Sequence, residues 1–260
     1  MILASHGIIG SSIVQFDADY VAILNYATTQ GYTLPSASQR IKQNKLLVDL
    51  KAAGVWSKLD TFAVFATDGN SDFALIDWKR LVNYTGVNVP TFTTNEGFTG
   101  NGTDTYISTN FNPATNGVNY TLNNASRFMW NKATSITNRG LDGNLTNSVN
   151  GMSSSLTGST NHRINTGGAF TGTGVVMNIV GLISIHKNNS ATDIELFTNT
   201  NQFTRVSASS SISSTNQLLW RNGNASTLGT AQTAIYGMGA SLVSENTTLR
   251  TILDTYLTSL

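Results

Sequence analysis

Between Asn83 and Gly239 the chain never sustains an apolar pattern for long: short runs of β-branched and aromatic residues are each cut off by a cluster of Gly, Asn or Ser. Each run is long enough to cross a sheet once, and each cluster carries turn chemistry, so the pattern predicts an antiparallel sandwich or barrel. The runs are 106–109, 127–130, 175–186, 194–197 and 217–220. The most apolar stretch, Val175-Val176-Met177-Asn178-Ile179-Val180-Gly181-Leu182-Ile183, reads as a strand buried on both faces, because β-branched residues dominate it. Only 11% of residues are charged and 40% are apolar, which suits strands joined by polar turns around one large core or two small ones.

The two ends follow a different period. Asp17 is placed to cap a helix carrying Tyr20, Val21, Leu24 and Ala27, with Gly31 as its stop. A second helix is predicted to start at Ser36 or Ser38, after Pro35, and to run through Ile41, Leu46, Leu47 and Leu50 until Gly54. Phe62-Ala63-Val64-Phe65 followed by Asp68-Gly69-Asn70 then reads as a strand and a turn. After Ser241 the helical period returns, with Leu249, Ile252, Leu253, Tyr256 and Leu257 on one face. The expected organisation is an N-terminal arm over 1–15, a helical segment over 16–60, the sandwich over 61–240 and a helix over 241–260 packed on it. The arm carries Ile8, Ile9, Ile13 and Val14 without an amphipathic period, as segments that order on a partner do.

Charge and cysteine content exclude several classes. A net charge of +1, with basic residues loosely grouped only at Arg40, Lys42 and Lys45, argues against nucleic-acid binding. Without cysteine the chain has no disulfide framework, thiolate metal site or thiol nucleophile. No stretch reaches the length of a membrane-spanning helix, so membrane insertion is not expected.

The residues also speak against catalysis. The glutamates are Glu96, Glu195 and Glu245, and only Asp193-Ile194-Glu195 would point two carboxylates to one side of a strand, so the acid pair of a glycoside hydrolase is missing. The histidines are His6, His162 and His186, and no Gly-x-Ser-x-Gly elbow accompanies them. His186 reads as a surface residue at a strand end, and His162 as part of a polar loop with glycan contact as the alternative. Asp68-Gly69-Asn70-Ser71-Asp72 spaces oxygen side chains like the start of a calcium loop but lacks the distant bidentate Glu, so an Asx-turn is expected. Asp104 and Asp142-Gly143-Asn144 raise the same question, and neither a metal nor a cofactor is assigned.

Three segments carry a resemblance: Leu47 and Leu50 leading into Gly54-Val55-Trp56-Ser57-Lys58-Leu59-Asp60, Phe65-Ala66-Thr67-Asp68-Gly69-Asn70 and Trp78; Phe98 through Tyr106-Ile107-Ser108-Thr109 to Pro113; and the final helix after Tyr236-Gly237-Met238-Gly239. In these the chain resembles phage and prophage structural proteins that carry a concanavalin A-like (laminin G-like) jelly-roll domain. The resemblance implies a virion component, a capsid decoration, spike, fibre or tail protein that exposes a lectin-like sandwich and is not an enzyme. A carbohydrate-binding receptor protein is the alternative, with Trp130, His162 and Trp220 contacting a host-surface glycan, against core packing within a strand as the competing reading for both tryptophans; an endoglycanase of the same fold comes third. The expected partners are other virion proteins and further copies in an oligomer or lattice. Contact is expected through the arm and the helical face around Ile41, Leu47 and Leu50, while the polar stretch 134–173 faces solvent or glycan.

Overall fold

The computed structural model describes residues 15–136, 139–144, 149–154, 162–167, 175–223 and 228–260; the expected N-terminal arm and His6 lie outside them, apart from Gln15. Helix α1 (Ala18–Thr29) starts where the Asp17 carboxylate accepts from the Asp19 amide, and α2 (Ala37–Ala52) where the Ser36 hydroxyl accepts from Gln39. Gly54, at φ 70°, takes the left-handed turn that ends α2, as its sequence position predicted. Helix α3 (Val55–Lys58) then leads into β1 (Leu59–Val64).

A short helix, α4 (Ser71–Ala74), and a small hairpin, β2 (Ile76–Asp77) with β3 (Val82–Asn83), follow β1. The next elements are β4 (Thr85–Val87), β5 (Thr91–Thr93), β6 (Gly97–Thr99), β7 (Tyr106–Ser108), α5 (Pro113–Asn116), β8 (Asn124–Ala133), β9 (Gly140–Gly143) and β10 (Gly151–Ser153). The last are β11 (Gly181–Asn188), β12 (Asp193–Thr198), β13 (Asn201–Val206), β14 (Leu218–Leu219), β15 (Gln232–Gly239) and α6 (Asn246–Thr258). The larger sheet runs β13-β12-β11-β8-β15-β6-β5, with β1 also on β15; the smaller runs β10-β9-β14-β7-β4. Every pairing is antiparallel, and at the centre Met129 of β8 lies opposite Ile183 of β11 and Tyr236 of β15.

Alternation along the central strands divides the core in two. Phe62, Val64, Phe128, Trp130, Leu182 and Ile235 pack against α1, α2, α3 and α6, meeting Tyr20, Leu47, Leu50, Leu249 and Leu253. Ala63, Met129, Ile183, Ile185, Tyr236 and Met238 face the other way and meet Ile107, Leu141, Met152 and Leu219 of the smaller sheet. The molecule is thus a β-sandwich with a helical layer on the outer face of its larger sheet. Covered on both sides, that sheet needs apolar residues at successive positions, which is why Phe62-Ala63-Val64-Phe65 is an unbroken apolar run. Helix α6 is fixed by polar contacts as well: the Tyr256 hydroxyl donates to the Ala66 carbonyl at 2.7 Å and accepts from the Gln39 and Gln43 amides.

Several expectations are corrected. The stretch from Val175 is not one strand: regular pairing begins at Gly181, and Val175 and Met177 are buried without belonging to a strand, so their apolarity reflects core filling. Leu47 and Leu50 face the sheet and are fully buried, and the exposed large apolar residues of α2 are Ile41 and Val48, so of the contact face expected around Ile41, Leu47 and Leu50 the two leucines are unavailable. In the Asp68–Asp72 turn, Asp68 accepts from the Ser36 amide and Asn70 caps α4 through the Phe73 amide, so these oxygens close helix ends. The stretch 134–173 contains β9 and β10, and its described residues include buried Leu141, Asp142, Met152 and Ile164, so these parts of it do not face solvent or glycan as expected.

Candidate functional site

The structure does not bring Trp130, His162 and Trp220 to a common surface. Trp130 is 7% exposed and packs in the helix-facing core, whereas Trp220 is 0% exposed and lies between the sheets, its indole N–H donating to Thr233 Oγ1 at 3.1 Å. His162, also 0% exposed, accepts from the Ser153 amide through Nδ1 at 3.4 Å, and burial with the nearby Arg127 charge lowers it to about 3. None offers a face on which a sugar ring could stack, so the expected glycan contacts are corrected: the tryptophans fill cores, and the imidazole is a neutral buried group.

His186 overturns its expectation too. It is fully buried where β11 meets the start of α6, with Nδ1 accepting from the Leu242 amide at 3.3 Å. Nε2 therefore carries the proton and donates to Ser184 Oγ at 2.8 Å, and that hydroxyl donates to Asn246 Oδ1 at 2.9 Å. Desolvation lowers this histidine to about 3. The chain of bonds ties α6 to the sheet and is sealed from any substrate.

Between the sheets lies a buried ion pair that sequence reasoning missed. Arg127 of β8 donates through Nη1 to both oxygens of Asp142 of β9 at 2.7 Å, and both residues are 0% exposed. Gln217 and the Tyr236 hydroxyl also donate to Asp142 Oδ2 at 3.1 Å, and Arg127 Nη2 donates to the Arg163 carbonyl. Burial pushes the Asp142 carboxyl up, against the pull of the guanidinium, the phenol and the amide. With three partner groups donating, both oxygens act as acceptors, so the pair links the sheets as an ion pair and not as a metal site or acid catalyst. Among the described residues no group of three His, Asp or Glu residues is arranged to hold a metal.

A groove of about 370 Å³ opens on the outer side of the smaller sheet, lined by Tyr106, Ser108, Asn112, Ser214, Thr215, Asn216 and Leu218. Its floor follows from strand alternation: Ile107 of β7 points into the core, so Tyr106 and Ser108 on either side of it point outward. Its walls are stapled together. Asn112 donates to the Ser214 carbonyl at 2.9 Å, the Ala114 amide to Ser213 O at 3.1 Å and the Gln217 amide to Phe111 O at 3.0 Å. Asn112 is held in turn as the cap of α5, accepting from the Ala114 amide. The result is a half-buried aromatic ring beside hydroxyl and amide side chains on fixed backbone, with no carboxylate or imidazole in the lining. The period-two pattern around Ile107 was the sequence signal that could have found Tyr106.

No protein-family model matches this chain, and no curated protein matches it. Among solved structures, a mutant of Trypanosoma rangeli sialidase displaying trans-sialidase activity is similar over 91% of this chain and 38% of that one, at 10% identity and a TM-score of 0.52. Domain 4 of AbnA, a GH43 extracellular arabinanase from Geobacillus stearothermophilus solved with arabinotriose, matches over 74% of this chain and 98% of that one, at 13% identity and a TM-score of 0.46. The chain spans well under half of the sialidase it resembles. The likeness to the sialidase agrees with a mainly antiparallel β-sandwich, the fold class that the strand spacing predicted.

Proposed function

We propose that this protein is a non-catalytic carbohydrate-binding β-sandwich whose ligand lies in the groove between β7 and the 214–218 segment. The observation that carries the reading is the groove's lining: one half-buried aromatic ring, Tyr106, with Ser108, Asn112, Ser214, Thr215 and Asn216 around it. Sugars present an apolar ring face edged by hydroxyls, so an aromatic flanked by neutral donors and acceptors is chemically complementary to them. The same lining supports binding over hydrolysis, because glycoside cleavage needs two carboxylates about the scissile bond. The Asp193 and Glu195 carboxylates belong to β12 in the other sheet, where they accept from Thr192 and Gln202. The sandwich shared with part of a sialidase is compatible with such a ligand.

The sequence resemblance extends the proposal to its setting: a phage particle on which the sandwich serves as an attachment surface beside other virion proteins, as an oligomer or lattice member. Exposed Val21, Ile41 and Val48 on the helical layer leave apolar side chains for such neighbours. The binding claim is tested by probing a glycan array with the intact chain and with Tyr106→Ala. The expected result is a restricted set of glycans bound by the first and lost by the second; an array with no bound glycan defeats the reading. Mass spectrometry of purified phage particles tests the setting, and absence of the chain from them removes it.

A further inference from the structure

Trp220 and Gly223 both adopt left-handed backbone, at φ 61° and 78°, and turn the chain after β14 back over the outer face of the smaller sheet. The segment is pinned at both ends: the Trp220 amide donates to Leu141 O at 2.7 Å, and the Gly223 amide to Asn144 O at 2.9 Å. Asn222 seats on two glycines that face each other across β9 and β10. A Cβ on Gly143 would fall 2.8 Å from Asn222 Oδ1, and one on Gly151 would overlap the Asn222 amide. Between these fixed points, the Arg221 guanidinium lies 4.8 Å from the centre of the Tyr106 ring, the aromatic of the proposed sugar groove.

That guanidinium has no counter-charge. All 14 acidic residues of the chain are among the described ones, and none forms an ion pair with Arg221. Arg80 makes the contrast: it also stacks on an aromatic ring, Phe111, but pairs with Asp77 and donates to the Asn110 and Thr109 carbonyls. Arg80 is built into the fold, whereas Arg221 stacks on the groove's tyrosine without an acidic partner. A planar guanidinium is the side chain best matched to a carboxylate, which it can bind through two parallel N–H donors.

We infer that the groove takes a carboxylated sugar, a uronic acid or another sugar acid within a glycan, and that Arg221 binds its carboxylate while Tyr106 meets the neighbouring ring. This rests on the carbohydrate-binding reading above and sharpens it from sugars in general to acidic ones. A hydrogen bond to a charged group contributes roughly 1.5 to 3 kcal/mol, so loss of Arg221 corresponds to about a tenfold to hundredfold loss of affinity for the acidic ligand.

The test is an array carrying neutral, carboxylated and sulfated glycans, probed with the intact chain, Arg221→Gln and Arg221→Lys. The expected pattern is at least tenfold preference for carboxylated glycans by the intact chain, lost in Arg221→Gln, with partial recovery and stronger salt sensitivity in Arg221→Lys. Equal binding of neutral and carboxylated glycans, a preference that survives Arg221→Gln, or binding of sulfated glycans alone would each overturn the inference while leaving a carbohydrate-binding protein. An array with no bound glycan overturns both. Thermal unfolding of each variant checks its fold, and Asn216→Ala serves as a second probe of the same groove: it should weaken all glycans alike and leave any acidic preference intact.

Discussion

Two buried arrangements decide what single residues are worth in this protein. Removing one member of a buried ion pair leaves the other charged and unsolvated, at a cost of about 3 to 5 kcal/mol, while replacing both by apolar residues of similar volume is often near neutral. Asp142→Ala is therefore expected to lower the urea midpoint sharply because it strands Arg127, and Arg127→Met with Asp142→Leu to recover much of the loss. A single Asp142→Ala variant as stable as the parent would contradict the pairing. His162 and His186 set the response to acid. Both lie near 6.5 when unfolded and at about 3 in the fold, so between those values the unfolded chain binds protons that the native one refuses. Their stabilising effect is complete above about pH 6.5 and shrinks as pH falls toward about 3, by up to about 1.4 kcal/mol per pH unit for each histidine. Denaturant midpoints measured from pH 7 to pH 4 should fall, and the slope should flatten in a His186→Gln variant if that variant folds. A midpoint independent of pH in the parent would show that the imidazoles are not buried as neutral groups.

At the scale of elements, what local chemistry controls was legible, and what distant contacts control was not. Asp17, Ser36 and Gly54 bound their helices through bonds to residues at most three positions away, so sequence alone located them. The alternation Tyr106, Ile107, Ser108 was equally local. By contrast, Val175 and Met177 are apolar because they fill the core, and no short-range signal separates that from strand pairing. His186 looked like a strand end because Lys187-Asn188-Asn189 follows it, but α6 returns over β11 and covers it. Arg127 and Asp142 sit in different sheets, and only the closed sandwich makes them neighbours. Trp130 and Trp220 pack in cores, the reading their places in apolar strands favour over a sugar platform, and the groove uses a tyrosine. Helix α6 provides the element-scale prediction. Leu253 is fully buried between the helical layer and the sheet, so Leu253→Ala should destabilise by about 2 to 5 kcal/mol, read by chemical denaturation. A loss below half a kcal/mol would mean that α6 does not dock on the sheet.

On the scale of the whole molecule, the central sheet is sealed on one face by helices and on the other by the smaller sheet, which leaves the outer side of the smaller sheet as ground for recognition. The two cores hold that side rigid, and its groove combines an outward tyrosine, neutral hydrogen-bonding side chains and an arginine without an acidic partner. Binding to preformed grooves needs little rearrangement, so a ligand should perturb few residues beyond the lining. The most direct measurement is a titration of the isotope-labelled chain with its best array glycan, followed by backbone and side-chain NMR. Shifts confined to Tyr106, Ser108, Asn112, residues 214–218 and Arg221 are the predicted result; shifts centred elsewhere, or none at saturating glycan, would contradict the account.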